Sequence, residues 1–252
     1  MPQFVTLPYL PTAKVTHILA GTGMQSYEKV LSDLNIACVY SEPISKITGS
    51  VKAHIDLAVF PFGGKDFLLE RTQHRLFAQL LSLGAQPQYA QCRVENGYPQ
   101  EASLNCVRIG DRLFGNPKTA DTHILKWCAQ KALPFCCVKQ GYTKCSVVAV
   151  TESALITDDI GIARTANADK LDVLYVDKGS VRLQGYPYGF IGGCASLISN
   201  DCMLFTGNVQ NHANADSIIA FLRNYHIFPE SLTNGALTDI GSFISLFQQE
   251  GL

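Results

Sequence analysis

Hydrophobic and polar positions along the chain repeat one pattern five times. In each repeat a short apolar run, a polar turn, a second apolar run and an amphipathic stretch follow one another, which predicts strand, strand and helix before a closing strand. The predicted helices span residues 26–34, 73–83, 120–131, 160–168 and 215–225, and the first strands of four repeats span residues 54–60, 104–109, 145–150 and 194–198. The repeats recur every roughly forty to fifty residues, a period typical of propellers and other repeat architectures.

The fifth repeat is divided between the two ends of the sequence. Residues 15–40 predict a strand, a turn, a helix and a strand without an opening strand, whereas residues 237–244 predict an opening strand with little chain after it. Pairing these two segments closes a ring of five units and removes the free sheet edge at the seam. An ordinary α/β sheet is the alternative, but the helices are short for that architecture and each repeat begins with two strands. We therefore predict one α/β propeller domain over residues 1–252.

Composition and charge exclude several classes of partner. The 252 residues are 47% hydrophobic and 16% charged, which suits a well-buried core, and the net charge of −1 provides no field that attracts nucleic acid or an anionic membrane. No apolar run approaches the roughly 18 residues that span a bilayer, and the first residues lack the pattern of a secretory signal.

Cysteine usage indicates a reducing compartment. There are nine cysteines, an odd number, and many of them lie inside apolar runs, as free cysteines in protein cores do. The sequence has no Cys-x-x-Cys pair, so a zinc site or a thioredoxin-like site is not predicted. A cytoplasmic protein with free thiols is the expectation.

His54 and Asp56 are the first candidates for a functional site. They lie two residues apart at the start of a predicted strand, where side chains with that spacing share a face. An imidazole and a carboxylate would then point to the same side of a buried strand. The alternative for the pair alone is a solvated edge strand.

Three short motifs resemble sequences of the pentein family, the five-bladed α/β propellers of guanidine-modifying enzymes. Residues 54–60, His-Ile-Asp-Leu-Ala-Val-Phe, are similar to the family's His-Leu-Asp-x-x-Phe strand. Residues 141–146, Gly-Tyr-Thr-Lys-Cys-Ser, are similar to the glycine-rich approach to its nucleophile. Residues 190–198 and 204–207 are similar to its Glu-Gly-Gly-Asp strand and the strand that returns from it. The family includes deiminases, dimethylarginine dimethylaminohydrolases and amidinotransferases, and the ribosomal anti-association factor shares its fold without catalysis.

The resemblance implies an activity and a set of roles. It implies a cysteine-dependent hydrolase that acts on a small guanidine- or amidine-bearing substrate through a covalent thiol adduct. Cys145 would be the nucleophile and His54 the acid and base, while Asp56 and Asp239 would hold the guanidinium group. The alternative that the resemblance leaves open is a non-catalytic pentein that binds a protein or ribosomal partner.

Some positions depart from the family pattern. Ile191 stands where the family has glutamate, Cys194 where it has aspartate, and Lys144 precedes the nucleophile where the family has histidine. The order of motifs also differs, because His54 comes early and the cysteine motif lies in the middle of the chain. The order around a ring is nevertheless kept, so the chain resembles a circularly permuted pentein in which Asp239 supplies the missing carboxylate.

The chemistry of guanidines explains why these residue types would be needed. The charge of a guanidinium is delocalised, so attack at its carbon requires a soft nucleophile, carboxylates that hold the cation and a proton donor for the leaving amine. Lys139 and Lys144 would favour the thiolate of Cys145, which we expect to be accessible at the mouth of the ring. Cys194 would add a second thiol to the substrate site, or would only pack. No glycine motif that cradles phosphate opens a long helix, so no nucleotide cofactor is predicted.

Overall fold

The computed structural model describes residues 2–250 and contains five small sheets. Four of the sheets have three strands, and the fifth has four. Each of the five has an inner strand, a middle strand antiparallel to it and an outer strand parallel to the middle one. The predicted repeat of two strands, a helix and a strand is therefore confirmed in all five units.

The elements have the following bounds. The strands are β1 (Gln3–Phe4), β2 (Val15–Ala20), β3 (Ala37–Tyr40), β4 (Val59–Gly63), β5 (Asp66–Leu69), β6 (Gln86–Tyr89), β7 (Val107–Ile109), β8 (Arg112–Gly115), β9 (Phe135–Cys137), β10 (Val147–Thr151), β11 (Ala154–Thr157), β12 (Asp172–Tyr175), β13 (Ala195–Ser199), β14 (Cys202–Phe205), β15 (Phe228–Ser231) and β16 (Phe243–Gln248). The α-helices are α1 (Glu28–Asp33), α2 (Ile55–Ala58), α3 (His74–Ser82), α4 (Thr122–Gln130), α5 (Ile160–Ala168) and α6 (Ala215–Asn224). Short 3₁₀ helices cover Thr22–Tyr27, Ser50–Ala53, Gln100–Ala102, Ile191–Gly193 and Val209–Asn211.

The two ends of the chain share the four-stranded sheet. β16 lies between β1 and β2, and Ile244 pairs with Leu19 in its antiparallel register with β2. The prediction that the C-terminal strand completes the N-terminal unit is confirmed. All six residues of β16 are buried, so this late strand forms part of the core.

The inner strands bring the five units together. β10 contacts β7 on one side and β13 on the other, and β13 in turn contacts β16. The short helix α2, which leads into β4, also packs against β16. The chain segments that precede the inner strands therefore come from different units and converge on one region.

The helices are short, and α3, α5 and α6 pack against the outer strands β6, β12 and β15 of their own units. The longest α-helix of the described residues is α6, with ten residues. None of the helices within residues 2–250 combines the length and the hydrophobicity that a bilayer-spanning helix needs.

Candidate active site

The candidate residues lie in the turns that lead into the inner strands. His54 follows the 3₁₀ helix Ser50–Ala53, and Asp56 lies on α2, three residues before β4 begins at Val59. The prediction of a strand over residues 54–60 was therefore wrong for its first half, since local bonds such as Leu57 N–H to the His54 carbonyl replace the ladder of a sheet. Cys145, Cys194 and Asp239 likewise precede β10, β13 and β16.

Cys145 is held at the centre of a hydrogen-bond network. Its thiol donates to Asp56 Oδ2 over 3.0 Å, and its backbone N–H donates to Asn105 Oδ1 over 3.1 Å. The amide nitrogen of Asn105 donates to both the Cys145 sulfur and the Asp56 carbonyl, each over 3.1 Å. The fully buried Asn105 thus links the two candidate residues from the turn before β7. Sequence reasoning missed it, because no local motif marks this asparagine.

His54 and Asp239 form the second pair of the site. His54 Nδ1 lies 3.7 Å from Asp239 Oδ1, and both side chains are buried. The Asp239 carboxylate accepts the backbone N–H groups of Gly241 and Phe190 over 3.0 and 2.9 Å. These bonds fix the carboxylate beside the imidazole, where it would balance the charge of an imidazolium.

The glycine pair of the third motif makes room for this carboxylate. A Cβ atom on Gly193 would lie 1.9 Å from Asp239 Oδ1, which no packing arrangement tolerates. A Cβ on Gly192 would lie 2.4 Å from the backbone oxygens of Lys144 and Val147. Gly192 and Gly193, in the motif that was compared with Glu-Gly-Gly-Asp, therefore allow neighbouring segments to pack closely against the backbone.

We predict that Gly193→Ala destabilises the protein by more than about 3 kcal/mol, because the added methyl group displaces the buried Asp239 carboxylate. Urea unfolding followed by circular dichroism measures the change. Gly235→Ala is the matched control, since the nearest atom to its Cβ lies at an ordinary 3.5 Å. Equal stability of the two variants would contradict the prediction.

The two lysines differ in their position relative to the Cys145 thiol. The buried Lys144 ammonium donates to the Gly192 carbonyl over 2.8 Å and lies 4.8 Å from the Tyr9 ring centre. Lys139 is exposed and lines a different surface cavity with Cys137. The prediction is therefore wrong for Lys139, whereas Lys144 does lower the pKa of the Cys145 thiol, as expected, by less than burial and the neighbouring carboxylates raise it.

The Cys145 thiol is neutral in this environment. Cys145 is only 3% exposed, and burial raises the pKa of its thiol well above the ordinary value. The carboxylates of Asp56 and Asp239 raise this pKa further. The expectation of an accessible, lysine-stabilised thiolate is corrected accordingly.

Two further buried side chains, Cys194 and Asp158, lie near the candidate residues but do not line the cavity. Cys194 is fully buried and its thiol donates to the Ile191 carbonyl over 3.1 Å; it is absent from the residues that line the cavity described below. Asp158 was missed by the sequence analysis, and it accepts the Ile191 N–H over 2.9 Å. Burial raises the pKa of Asp158 to about 7.

A cavity of about 250 Å³ opens onto the candidate residues. His54, Cys145 and Asp239 line the cavity, and Asp56 accepts a hydrogen bond from the Cys145 thiol. Most of the remaining lining is apolar or aromatic, and Glu101 adds one more carboxylate. Three of the four residues predicted to surround one cavity, His54, Cys145 and Asp239, line it, whereas Asp56 does not. Within residues 2–250, no group of three or more His, Cys, Asp or Glu side chains is placed to hold a metal ion.

The fold is similar to that of solved amidinotransferases and of DDAH. Solved structures that resemble it over nearly their whole length include SxtG, an amidinotransferase from Microseira wollei, with a TM-score of 0.60, 8% identity and 98% of each chain covered. Inosamine-phosphate amidinotransferase StrB1 from Streptomyces griseus has a TM-score of 0.59 and 9% identity, with 99% of this chain and 98% of that chain covered. DDAH from Pseudomonas aeruginosa has a TM-score of 0.56 and 9% identity, with 93% of this chain and 100% of that chain covered.

Sequence comparison places the chain in a family without an assigned function. The model of the "Family of unknown function (DUF6873)" matches residues 18–244, and the chain belongs to this family. No curated protein matches the sequence. The resemblance to a pentein is therefore confirmed for the fold, while the activity has to be argued from the site.

Proposed function

We propose that the protein is a cysteine-dependent hydrolase acting on a small guanidine- or amidine-bearing substrate. The observation that carries the proposal is the contact of the Cys145 thiol with Asp56 at a cavity that His54 and Asp239 also line. The similar structures include two amidinotransferases and an agmatine deiminase, which supports a guanidine as the reacting group.

The charges of the site suit a cation. Asp56 Oδ1 is buried and has no hydrogen-bond partner among residues 2–250, so one strong acceptor beside the sulfur is left open. A buried acceptor without a partner is costly, and a forked N–H donor such as guanidinium would satisfy it. Asp239 supplies a second carboxylate on the cavity wall.

A bound cation would also activate the thiol. Burial and the two carboxylates raise the pKa of the Cys145 thiol. A guanidinium placed between these groups neutralises the carboxylates and favours the thiolate, so the nucleophile forms when substrate is present.

The reaction then assigns a role to each residue. The thiol proton has an acceptor at Asp56 Oδ2, and the sulfur forms a C–S bond to the guanidinium carbon. His54 donates a proton to the leaving amine as the C–N bond breaks, and afterwards accepts a proton from the water that attacks the adduct. When the C–S bond breaks, a urea-type product leaves and the sulfur takes its proton back from Asp56. Ammonia or an amine is the other product.

We predict that Asp56→Asn accelerates alkylation of Cys145 severalfold near pH 8. The substitution removes a negative charge beside the sulfur and therefore lowers the pKa of the thiol. Iodoacetamide labelling with peptide mapping measures the rate, and the exposed Cys137 serves as the internal control in both proteins.

The pH profile separates this effect from local opening. A lower pKa moves the rise of the labelling rate to lower pH, whereas opening raises the rate equally at every pH. An unchanged profile, or labelling of Cys145 ahead of Cys137 in the natural protein, would contradict the electrostatic argument.

A screen of guanidines and amidines for release of ammonia, urea or amine tests the function. Hydrolysis gives these products with water alone, whereas amidino transfer requires an added amine acceptor. Turnover that starts only with an acceptor would make the protein a transferase. Complete inactivity, without a covalent adduct on Cys145 by mass spectrometry, would contradict the proposal.

The non-catalytic alternative is favoured by one observation. Cys145 is buried and neutral, as a packing cysteine would be. A pentein that binds a partner would keep this thiol without using it. The same screen decides between the two, because the alternative predicts neither turnover nor an adduct with any guanidine.

A further inference from the structure

The cavity lining combines two polar groups with an apolar and aromatic surface. Cys145, His54 and Asp239 are the residues of the proposed reaction. Glu101 and Tyr142 also line the cavity; Glu101 was not selected by the sequence analysis, and Tyr142 lies in the motif of residues 141–146 without an assigned role. The other lining side chains are apolar or aromatic.

The aromatic wall is continuous. The Tyr142 and Phe190 ring centres lie 6.1 Å apart, and Tyr188 meets Phe190 edge to face at 6.2 Å. Tyr186 and Tyr188 are 46% and 38% exposed, so their rings form the entrance. Such a wall would contact the body of a ligand through ring stacking and apolar burial.

Glu101 places a carboxylate in this apolar surface. It is 7% exposed, and it accepts the Tyr142 hydroxyl and the Gly97 N–H, the latter over 2.9 Å. Burial and the neighbouring Glu101 raise the pKa of Tyr142, so its hydroxyl stays a donor. A negatively charged carboxylate at this position would repel an anionic ligand group.

No lysine or arginine of the described chain lines the cavity. Lys144 is turned towards the Gly192 carbonyl. Lys178 lies over the rings of Tyr188 and Phe190, at 5.8 and 5.7 Å from their centres, and does not contribute to the lining. A ligand carboxylate in this cavity would therefore lose its hydration without gaining a cationic partner, at a large cost in binding.

We propose that the substrate is a guanidine or amidine with an apolar, preferably aromatic, body and no carboxylate. This inference rests on the proposed function for the position of the guanidinium at Cys145. The aromatic wall holds the body, and Glu101 with its Tyr142 partner selects against anionic guanidines such as guanidino acids.

Binding of three matched ligands tests the inference. Benzylguanidine has the aromatic body, 4-(guanidinomethyl)benzoate adds a carboxylate to it, and methylguanidine lacks the body. Calorimetry on Cys145→Ser and on the natural protein should give benzylguanidine an affinity at least about tenfold above that of each of the other two.

Two variants locate the cause. Glu101→Gln should raise the affinity for the carboxylate ligand about tenfold relative to that for benzylguanidine, because the two ligands share the guanidinium and differ only in the carboxylate that Glu101 repels. Tyr188→Ala should lower the affinity for benzylguanidine about fivefold and leave the affinity for methylguanidine unchanged, because methylguanidine has no body for the ring to contact. Glu95→Gln and Tyr175→Ala are the matched controls, since both residues are exposed and lie outside the cavity lining.

The outcomes separate this inference from the proposed function. Turnover of guanidines with equal or better use of the carboxylate ligand would overturn the inference and leave the hydrolase in place. The expected binding order without turnover of any guanidine would support the inference about the ligand and overturn the hydrolase. Absence of binding by all three ligands would overturn the inference.

Discussion

Cys145→Ser should reduce guanidine hydrolysis by at least about a thousandfold, because a serine hydroxyl stays protonated where a thiol can still ionise. The fold should persist. A hydroxyl at this position can donate to Asp56 and accept from Asn105, as the thiol does over 3.0 and 3.1 Å. A change of about 1 kcal/mol, or about 2–4 °C in melting temperature, is the largest expected loss of stability.

Cys128→Ser is the matched control for this variant. Cys128 lies on α4 and is also buried, and its thiol donates to the Leu133 carbonyl over 3.2 Å. It does not line the cavity, so its substitution should retain the activity. Steady-state rates and melting curves of both variants measure the difference. Comparable activity of the Cys145→Ser variant would place the nucleophile elsewhere.

Deletion of residues 237–252 should abolish cooperative folding. The deletion removes β16, whose neighbours β1 and β2 then lose their shared partner in the sheet. Phe243, Ile244, Leu246 and Phe247 are buried on this strand, and burial of each such side chain is worth about 1.5–3 kcal/mol. The sum is comparable to the whole stability of a typical domain, about 5–15 kcal/mol.

Thermal unfolding by circular dichroism measures this effect, and a deletion of residues 250–252 only is the control. The shorter deletion leaves β16 intact and should keep a sharp transition. A sharp transition at the original temperature in the longer deletion would contradict the central position of β16.

The repeating fold could be predicted because its signals are local. The helix α5 has the predicted bounds, since the Asp159 side chain caps its first turn and the apolar positions repeat with helical spacing. The union of the first and last segments followed from counting strands in each repeat. Neither inference needed knowledge of distant contacts.

The details of the site depended on distant contacts and could not be predicted in the same way. Residues 54–58 look like a strand because the run is apolar, yet helical turns form where the chain bends into the inner strand. Asn105 and Glu101 carry no motif, and their roles arise only when separate units meet. Lys144 lowers the pKa of the Cys145 thiol as predicted, but burial and the carboxylates of Asp56 and Asp239, which come together only in the folded chain, outweigh it.

Burial of Cys145 has a consequence for oxidative damage. Peroxides react with thiolates that they can reach, whereas the Cys145 thiol is neutral and only 3% exposed. Sulfenic acid should therefore form first on the exposed Cys137, which lies away from the cavity. The resting protein would tolerate an oxidant that inactivates proteins with a preformed thiolate, and Cys145 would become vulnerable mainly while a cation occupies the site.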